Sequence, residues 1–322
     1  MGSILSKRIS GKHKNNKLTY YIIGYLVKWF YSGYKPKYLK TKLKSLNQYN
    51  LTYIEKRVNY YNKLFRIYST KNSIPLSKFK YIGQFKTYYL DFLKFKRYFS
   101  PISKIHYEFG DVIHIPKNPT IVKSRPISSY NENSVLLNLN KIRHFTFVKD
   151  SISFTNKINQ LVWRGKITKL MPHREAFFNI HQNNSICNIG AVNNYVNNKD
   201  WIKPRLTIEE QLQYKFILSI EGNDVATNLK WIMSSNSVAV MTKPKYETWF
   251  MEGTLIPNYH YICIKDDYSD LNERLEYYIN NPDKTLQIIQ NANKYVEQFK
   301  NKKQEKLIAL LVLKKYFDLS SK

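Results

Sequence analysis

Amphipathic spacing marks the first hundred residues, and short apolar runs set off by turn residues mark the rest. The clearest stretch is Tyr214–Val240, YKFILSIEGNDVATNLKWIMSSNSVAV. Phe216–Ile220 is a β-rich apolar run, and Gly222 ends it. Asn223 and Asp224 supply turn and N-cap chemistry for a helix through about Ser234, after which Ser237–Val240 resumes a strand. In such a unit, ligands sit beyond the carboxyl ends of the strands, where a helix N-terminus suits a phosphate. Position and chemistry thus point to a phosphorylated or nucleotide ligand, although a βαβ unit with no ligand has the same pattern.

Elsewhere the spacing predicts helices through Tyr53–Tyr68 and Phe85–Phe99, then β-like runs at Val112–Ile115, Thr120–Val122 and His144–Val148. Alternation restarts at Leu161 with LVWRGKIT, Asn183–Asn198 reads as an Asn-rich surface loop, and Thr207 with Glu210 forms a capping box. Beyond Val240 the pattern gives a helix over 245–252, a strand over His260–Lys265, and helices near 270–280, 283–299 and 303–317. Strands alternating with helices in both halves predict two parallel-sheet domains facing one cleft.

Charge changes the picture more than overall composition does. Of 322 residues, 43% are hydrophobic and 15% aromatic, which fits a folded globular chain. The net charge is +29, and residues 1–100 carry 22 Lys/Arg against only Glu55 and Asp91. Nucleic acid, an anionic membrane face and a phosphorylated substrate all fit such a basic, aromatic third. No RNP, zinc-finger or helix-turn-helix signature supports the first. Cys187 and Cys263 form no framework or ligand spacing, and the seven histidines are scattered, so no metal site is read. Tyr20–Phe30 and Leu307–Leu313 are too short to cross a membrane. The former reads either as an interfacial helix or, the preferred reading, as the core-facing side of an N-terminal helix. Met1-Gly2 with Ser6 fits only a loose acylation pattern.

LVWRGKIT, the Tyr214–Val240 stretch, YETWF and NYHYICIKDDYSDL resemble, in order, the motifs of the family 90 (CAP10-like) glycosyltransferases. SRPISSYNENSVLLNLNKIRHFTFVKD, at 124–150, is most similar to the bacterial lipopolysaccharide-core enzymes of that family. The resemblance covers roughly residues 100–300. It implies a GT-B fold with two Rossmann-like domains, a nucleotide-sugar donor in the C-terminal domain and inversion at the anomeric carbon. The corresponding boundaries are 1–155 for a helical basic region with an acceptor-side α/β domain, 156–300 for the donor domain and 301–322 for a terminal helix.

A transferase of this kind must stabilise a departing diphosphate by a metal or by fixed positive charge. No Asp-x-Asp triplet occurs, so no metal is expected. Arg164 at a strand end, with Gly165 for close approach, is the expected diphosphate ligand, and Thr168 adds a hydroxyl. Glu221 is a candidate for a ribose hydroxyl, beside Gly222, Asn223 and Asp224. Eukaryotic protein O-glucosyltransferases of the family carry an Arg where this chain has Asn228; Lys230 is two residues on, on another helix face. Asn236 and Ser237 stand where the family often has Gly-Ser beside the donor. The family's general base, an Asp ahead of a β-run, corresponds to Asp111, with Glu108 and Glu132 as rivals. Lys123 and Arg125 would position an acceptor phosphate or line the donor cleft. The expected reaction moves glucose or galactose from a UDP-sugar to an inner-core heptose of lipopolysaccharide, on the cytoplasmic face of the inner membrane. Capsule or protein Ser/Thr acceptors, and a nucleic-acid-binding protein, are the alternatives.

Overall fold

A computed structural model describes residues 13, 15–30, 33–194 and 196–321. The Met1-Gly2…Ser6 pattern lies outside them. The chain is mixed α/β with parallel sheets and divides into two compact units. One is made chiefly of Arg143–Pro244 and Thr254–Gln298; the other comprises Asn16–Ile142, Lys245–Gly253 and Phe299–Lys322. Helices and strands are numbered in chain order below.

In the second unit, α1 (Lys17–Phe30) and α2 (Pro36–Lys44) precede α3 (Leu51–Tyr61) and α4 (Lys86–Lys96). The expected helix 53–68 ends at Tyr61. A two-stranded antiparallel pair, β1 (Ile74–Pro75) and β2 (Lys104–Ile105), flanks α4. A parallel sheet follows in the order β3 (Tyr107–Glu108), β4 (Thr120–Val122), β6 (Ser134–Leu136). Val112–Ile115 forms no strand. Ser124–Pro126 is β5, and it pairs antiparallel with β11 (Tyr246–Thr248). Residues 245–252 were expected to be a helix. Their apolar spacing is overridden by that ladder and by the buried Glu247 carboxylate, which accepts from Arg125 Nε at 2.8 Å.

The terminal helix α11 (Lys302–Asp318) is the core of this unit, with Ile308, Ala309, Leu310, Val312 and Leu313 fully buried. It also carries Glu305, whose carboxylate accepts from Arg57 (3.0 Å) and from Trp249 Nε1 (2.5 Å). Trp249 in turn stacks on Tyr61 at 3.7 Å between ring centroids. Burial raises the Glu305 carboxyl group's pKa, and the Arg57 charge opposes the rise.

The short helix α5 (Lys141–His144) leads into the first unit. Its parallel five-stranded sheet has the order β12 (Ile262–Cys263), β10 (Val238–Met241), β9 (Tyr214–Leu218), β7 (Ile158–Gly165), β8 (Cys187–Ala191). β8 lies inside the stretch expected to be a loop: Cys187, Ile189 and Ala191 alternate inward and complete the edge. His144–Val148, expected as a strand, is helix end and loop. Around the sheet lie α6 (Pro172–His181), α7 (Ile208–Gln211), α8 (Leu229–Ile232), α9 (Leu271–Asn280) and α10 (Pro282–Glu297). The Thr207/Glu210 capping box forms at α7. One apolar cluster, including Leu161, Trp163, Phe178, Phe216, Val240 and Leu275, holds these layers together.

The buried Arg57–Glu305 pair gives a stability test. Glu305→Leu strands a guanidinium inside the core, so it should cost about 3–5 kcal/mol, read as a lowered urea midpoint. Arg57→Met added to it should recover part of that loss. A double variant no more stable than Glu305→Leu would contradict this account of the core.

Candidate functional site

Because the five strands run in parallel, their carboxyl ends share one edge, and the loops leaving them are where a ligand can be met by several segments at once. Two such loops converge at the centre of the sheet. The one after β7 runs through Lys166 and Thr168 into α6, whose first turn carries His173 and Arg174. The other, after β9, is Glu221–Asp224.

Arg174 joins these loops. Its Nε donates to Glu221 O (2.8 Å), and its terminal nitrogens donate to Lys166 O (2.7 Å) and Ile220 O (3.2 Å). His173 Nε2 also meets Glu221 O at 2.9 Å. The guanidinium lies over the Trp163 ring at 5.2 Å, and a Cβ on Gly222 would come 3.4 Å from it. All three acceptors are neutral carbonyls, so they orient the cation without cancelling its charge. Burial, reinforced by nearby Arg143 and opposed by Tyr268, pulls the Arg174 pKa down to about 10. It is still cationic at neutral pH, and an incoming anion would offset the cost of its burial.

Tyr268 continues the edge toward β10 and β12. Burial, with Asp266 and Glu221 adding to it, pushes its hydroxyl up to about 12, while Arg174 opposes. Beyond it a cavity of about 630 Å³ is lined by residues that include Lys243, Asn258, Lys265, Asp266, Asp270 and Arg274. Among the described residues no cluster of three His, Cys, Asp or Glu side chains could hold a metal ion.

The residues singled out from sequence divide sharply across this sheet. Glu221, Gly222, Asn223, Asp224 and Thr168 lie in the carboxyl-edge loops. Arg164 does not reach that edge. It points back across the sheet face, donating to Pro204 O, Trp163 O, Asn188 O and Asn188 Oδ1 at 2.7–3.0 Å. Asn188 pairs in register with Val162, two residues before Arg164, and its amide donates to Tyr214 OH (2.6 Å) at the start of β9. Four of the five guanidinium donors are thereby engaged. Gly165 is required by its own strand: a Cβ there would lie 2.2 Å from the Trp163 ring.

The helix expected from Asp224 begins only at Leu229 and has four residues, so the Glu221–Asp224 loop presents no N-terminus of that helix to the edge. Asn228 accounts for the delay, tying the loop back to β9 through Leu218 O (2.9 Å) and Ser219 Oγ (3.2 Å). Lys230 is wholly buried. Asn236 and Ser237 precede β10 and thus lie at the opposite, amino edge. There Asn236 holds the Asp150–Ile152 turn, and Ser237 donates to Tyr214 O. Arg174 went unnoticed in the sequence. A Pro at the start of a helix following a strand-end loop was the available signal, since it sets the residues behind it in the first turn.

In the other unit Asp111 follows β3, at the carboxyl edge of its parallel sheet. Its Oδ1 accepts from Lys123 Nζ at 2.7 Å; Lys123 is buried, and the Asp111 side chain stays 30% exposed. Glu108 pairs with His114 (3.1 Å), and Glu132 lies in the turn before β6. A cavity of about 290 Å³ next to this segment is lined by Tyr81, Phe85, Tyr89, Tyr107, Glu108 and Phe109, among others. Arg125 is fully buried and donates to Glu247, Tyr60 O and Ser134 O, so it is a core residue, not an acceptor contact.

The model of glycosyl transferase family 90 matches residues 138–320. The O-glucosyltransferase LpsA of Dichelobacter nodosus is 41% identical over 266 residues, 83% of this chain and 83% of that protein. The chain belongs to glycosyl transferase family 90. It is therefore a glycosyltransferase. An uncharacterized protein, 179R, of Invertebrate iridescent virus 6 is 34% identical over 101 residues, 29% of this family 90 chain and 8% of the viral protein.

The contrast between the two arginines can be measured with UDP as the probe. Arg174→Ala should weaken UDP binding in calorimetry by roughly 10–100-fold, the value of one charge-assisted contact. Arg164→Ala should leave UDP affinity nearly unchanged and lower thermal stability instead. The reverse pattern would return Arg164 to the diphosphate.

Proposed function

We propose that this glycosyltransferase is an inverting, GT-B-type hexosyltransferase that moves glucose from UDP-glucose to a heptose of a lipopolysaccharide inner core. The observation that carries the donor half is Arg174, a cation fixed by neutral carbonyls at the carboxyl edge, beside the Gly222 loop. The name of the Dichelobacter relative, an O-glucosyltransferase, favours glucose over galactose. Glu221 and the Lys243/Lys265/Arg274 cavity would take the ribose and the remainder of the nucleotide.

In this reading the Asp111 carboxylate takes the proton from the acceptor hydroxyl as its oxygen attacks the anomeric carbon. The new C–O bond forms on the face opposite the diphosphate. The old bond breaks with its electrons leaving on UDP, whose charge Arg174, Arg143 and Lys166 would stabilise. Fixed cations in that role remove the need for a divalent ion. The aromatic-lined cavity beside Glu108 suits the apolar face of an acceptor saccharide, and the basic first third suits a phosphorylated, lipid-anchored one on the cytoplasmic face of the inner membrane.

Two experiments test this. Transfer from UDP-glucose to a truncated core acceptor should persist in excess EDTA; loss restored by manganese would overturn the fixed-charge account. Asp111→Asn should lower transfer by ~10²–10⁴-fold with UDP affinity kept. Because that change leaves the Lys123 ammonium buried, a thermal melt accompanies it, and Asp111→Asn/Lys123→Met serves as the fold control. Near-full turnover by either variant would transfer the role to another acid, with Glu108→Gln and Glu132→Gln identifying which.

A further inference from the structure

Helix α1 faces outward with the surface that sequence spacing assigned to the core. Leu18 (71% exposed), Ile22, Ile23, Leu26, Trp29 (67%) and Phe30 lie in solvent. At about 100° per residue they cover an arc of roughly 140°. The opposite face docks on α4. Tyr20 donates its hydroxyl to Thr87 O (3.0 Å), Lys94 sits over the Tyr20 ring, and Gly24 is buried so closely that a Cβ would lie 2.9 Å from Leu90 Cδ1. A tyrosine and a glycine thus make the inward contact while the large aliphatic side chains are left outside. Such a contiguous apolar face on a folded protein marks an interaction surface.

Charge decides what covers it. No acid precedes Glu55, and Lys17, Lys28, Lys35, Lys37, Lys40, Lys42 and Lys44 lie on or beside α1 and α2. Tyr34 and Tyr38, on the α2 side, are also exposed. Two copies meeting through this face would bring like charges together with no carboxylate to offset them. Nucleic acid would meet the lysines but leave a Leu/Ile face unburied. An anionic lipid surface meets both, with aliphatic and Trp side chains in the acyl boundary and ammonium groups at the headgroups. Fourteen residues are too few to cross a bilayer, and among the described residues no helix is long and apolar enough to do so.

We infer that α1 lies in the plane of an anionic membrane surface, inserting Leu18, Ile22, Leu26 and Trp29, with the α2 lysines holding the headgroups. This deepens the reading of a lipid-borne acceptor given above, yet its evidence is independent of the transfer reaction.

The test uses an intrinsic probe. Of the five tryptophans Trp29 alone is exposed, the others being at most 6% so. Vesicles with about a third anionic lipid and brominated acyl chains should quench a component of the full-length protein's fluorescence that is missing in Trp29→Phe. Neutral vesicles should not. Ile22→Asp/Leu26→Asp should cut vesicle partitioning by about 10²-fold or more, while its melting temperature and its transfer to a soluble acceptor stay unchanged. Vesicle binding without Trp29 quenching, binding unaffected by the double variant, or no binding would each overturn the inference. So would protection of Trp29 by RNA or by dimerisation. Lipid binding by a protein with no transferase activity would instead count against the reaction reading and leave this surface intact.

Discussion

The parallel pairing of β7 with β9 determines where everything else in the first unit falls. Leu161 aligns with Phe216 and Val162 with Ile217, and β8 and β10 extend the same direction on either side. Two buried strands running in parallel must send their exits to one edge and their entrances to the other. The loop after β7 and the loop after β9 therefore meet, although Lys166 and Glu221 are more than fifty positions apart in sequence. Arg174 is the physical link, donating to the backbone of both loops. The cationic edge is thus a consequence of strand direction.

The same principle sorts the basic residues into two kinds. Arg57, Arg125 and Arg164 are spent inside the structure, the first two against buried carboxylates and the third against carbonyls across a sheet face. Arg174 differs from the first two in having neutral partners and from the third in its place at the carboxyl edge. Identity as an arginine near a glycine did not separate these cases; the counter-charge and the direction along the strand did.

Much of this was legible in the sequence, for identifiable reasons. Phe216–Ile220 and Leu161–Trp163 are apolar runs whose burial needs no knowledge of partners, α9 and α10 carry their own apolar periodicity, Pro282 opens α10 and Asn301 caps α11. What failed depended on contacts remote in sequence. Tyr246–Thr248 became a strand only because Ser124–Pro126 supplied a ladder. Asn228 shortened a helix by bonding back to Leu218 O. Arg164 lies across the sheet face because strand alternation, which sends Trp163 into the core, sends its neighbour to the other face, beside Asn188. For α1 an apolar stripe was correctly seen, but spacing alone cannot say whether such a stripe faces a core or a membrane.

Hydrogen exchange of the full-length protein with and without UDP tests the central claim most directly, because it reports on both edges of the sheet at once. The account predicts nucleotide-dependent protection in the Lys166–Arg174 and Glu221–Asp224 segments, at the carboxyl edge. Protection confined to Asp150–Ile152 and Asn236–Ser237, at the amino edge, would contradict it.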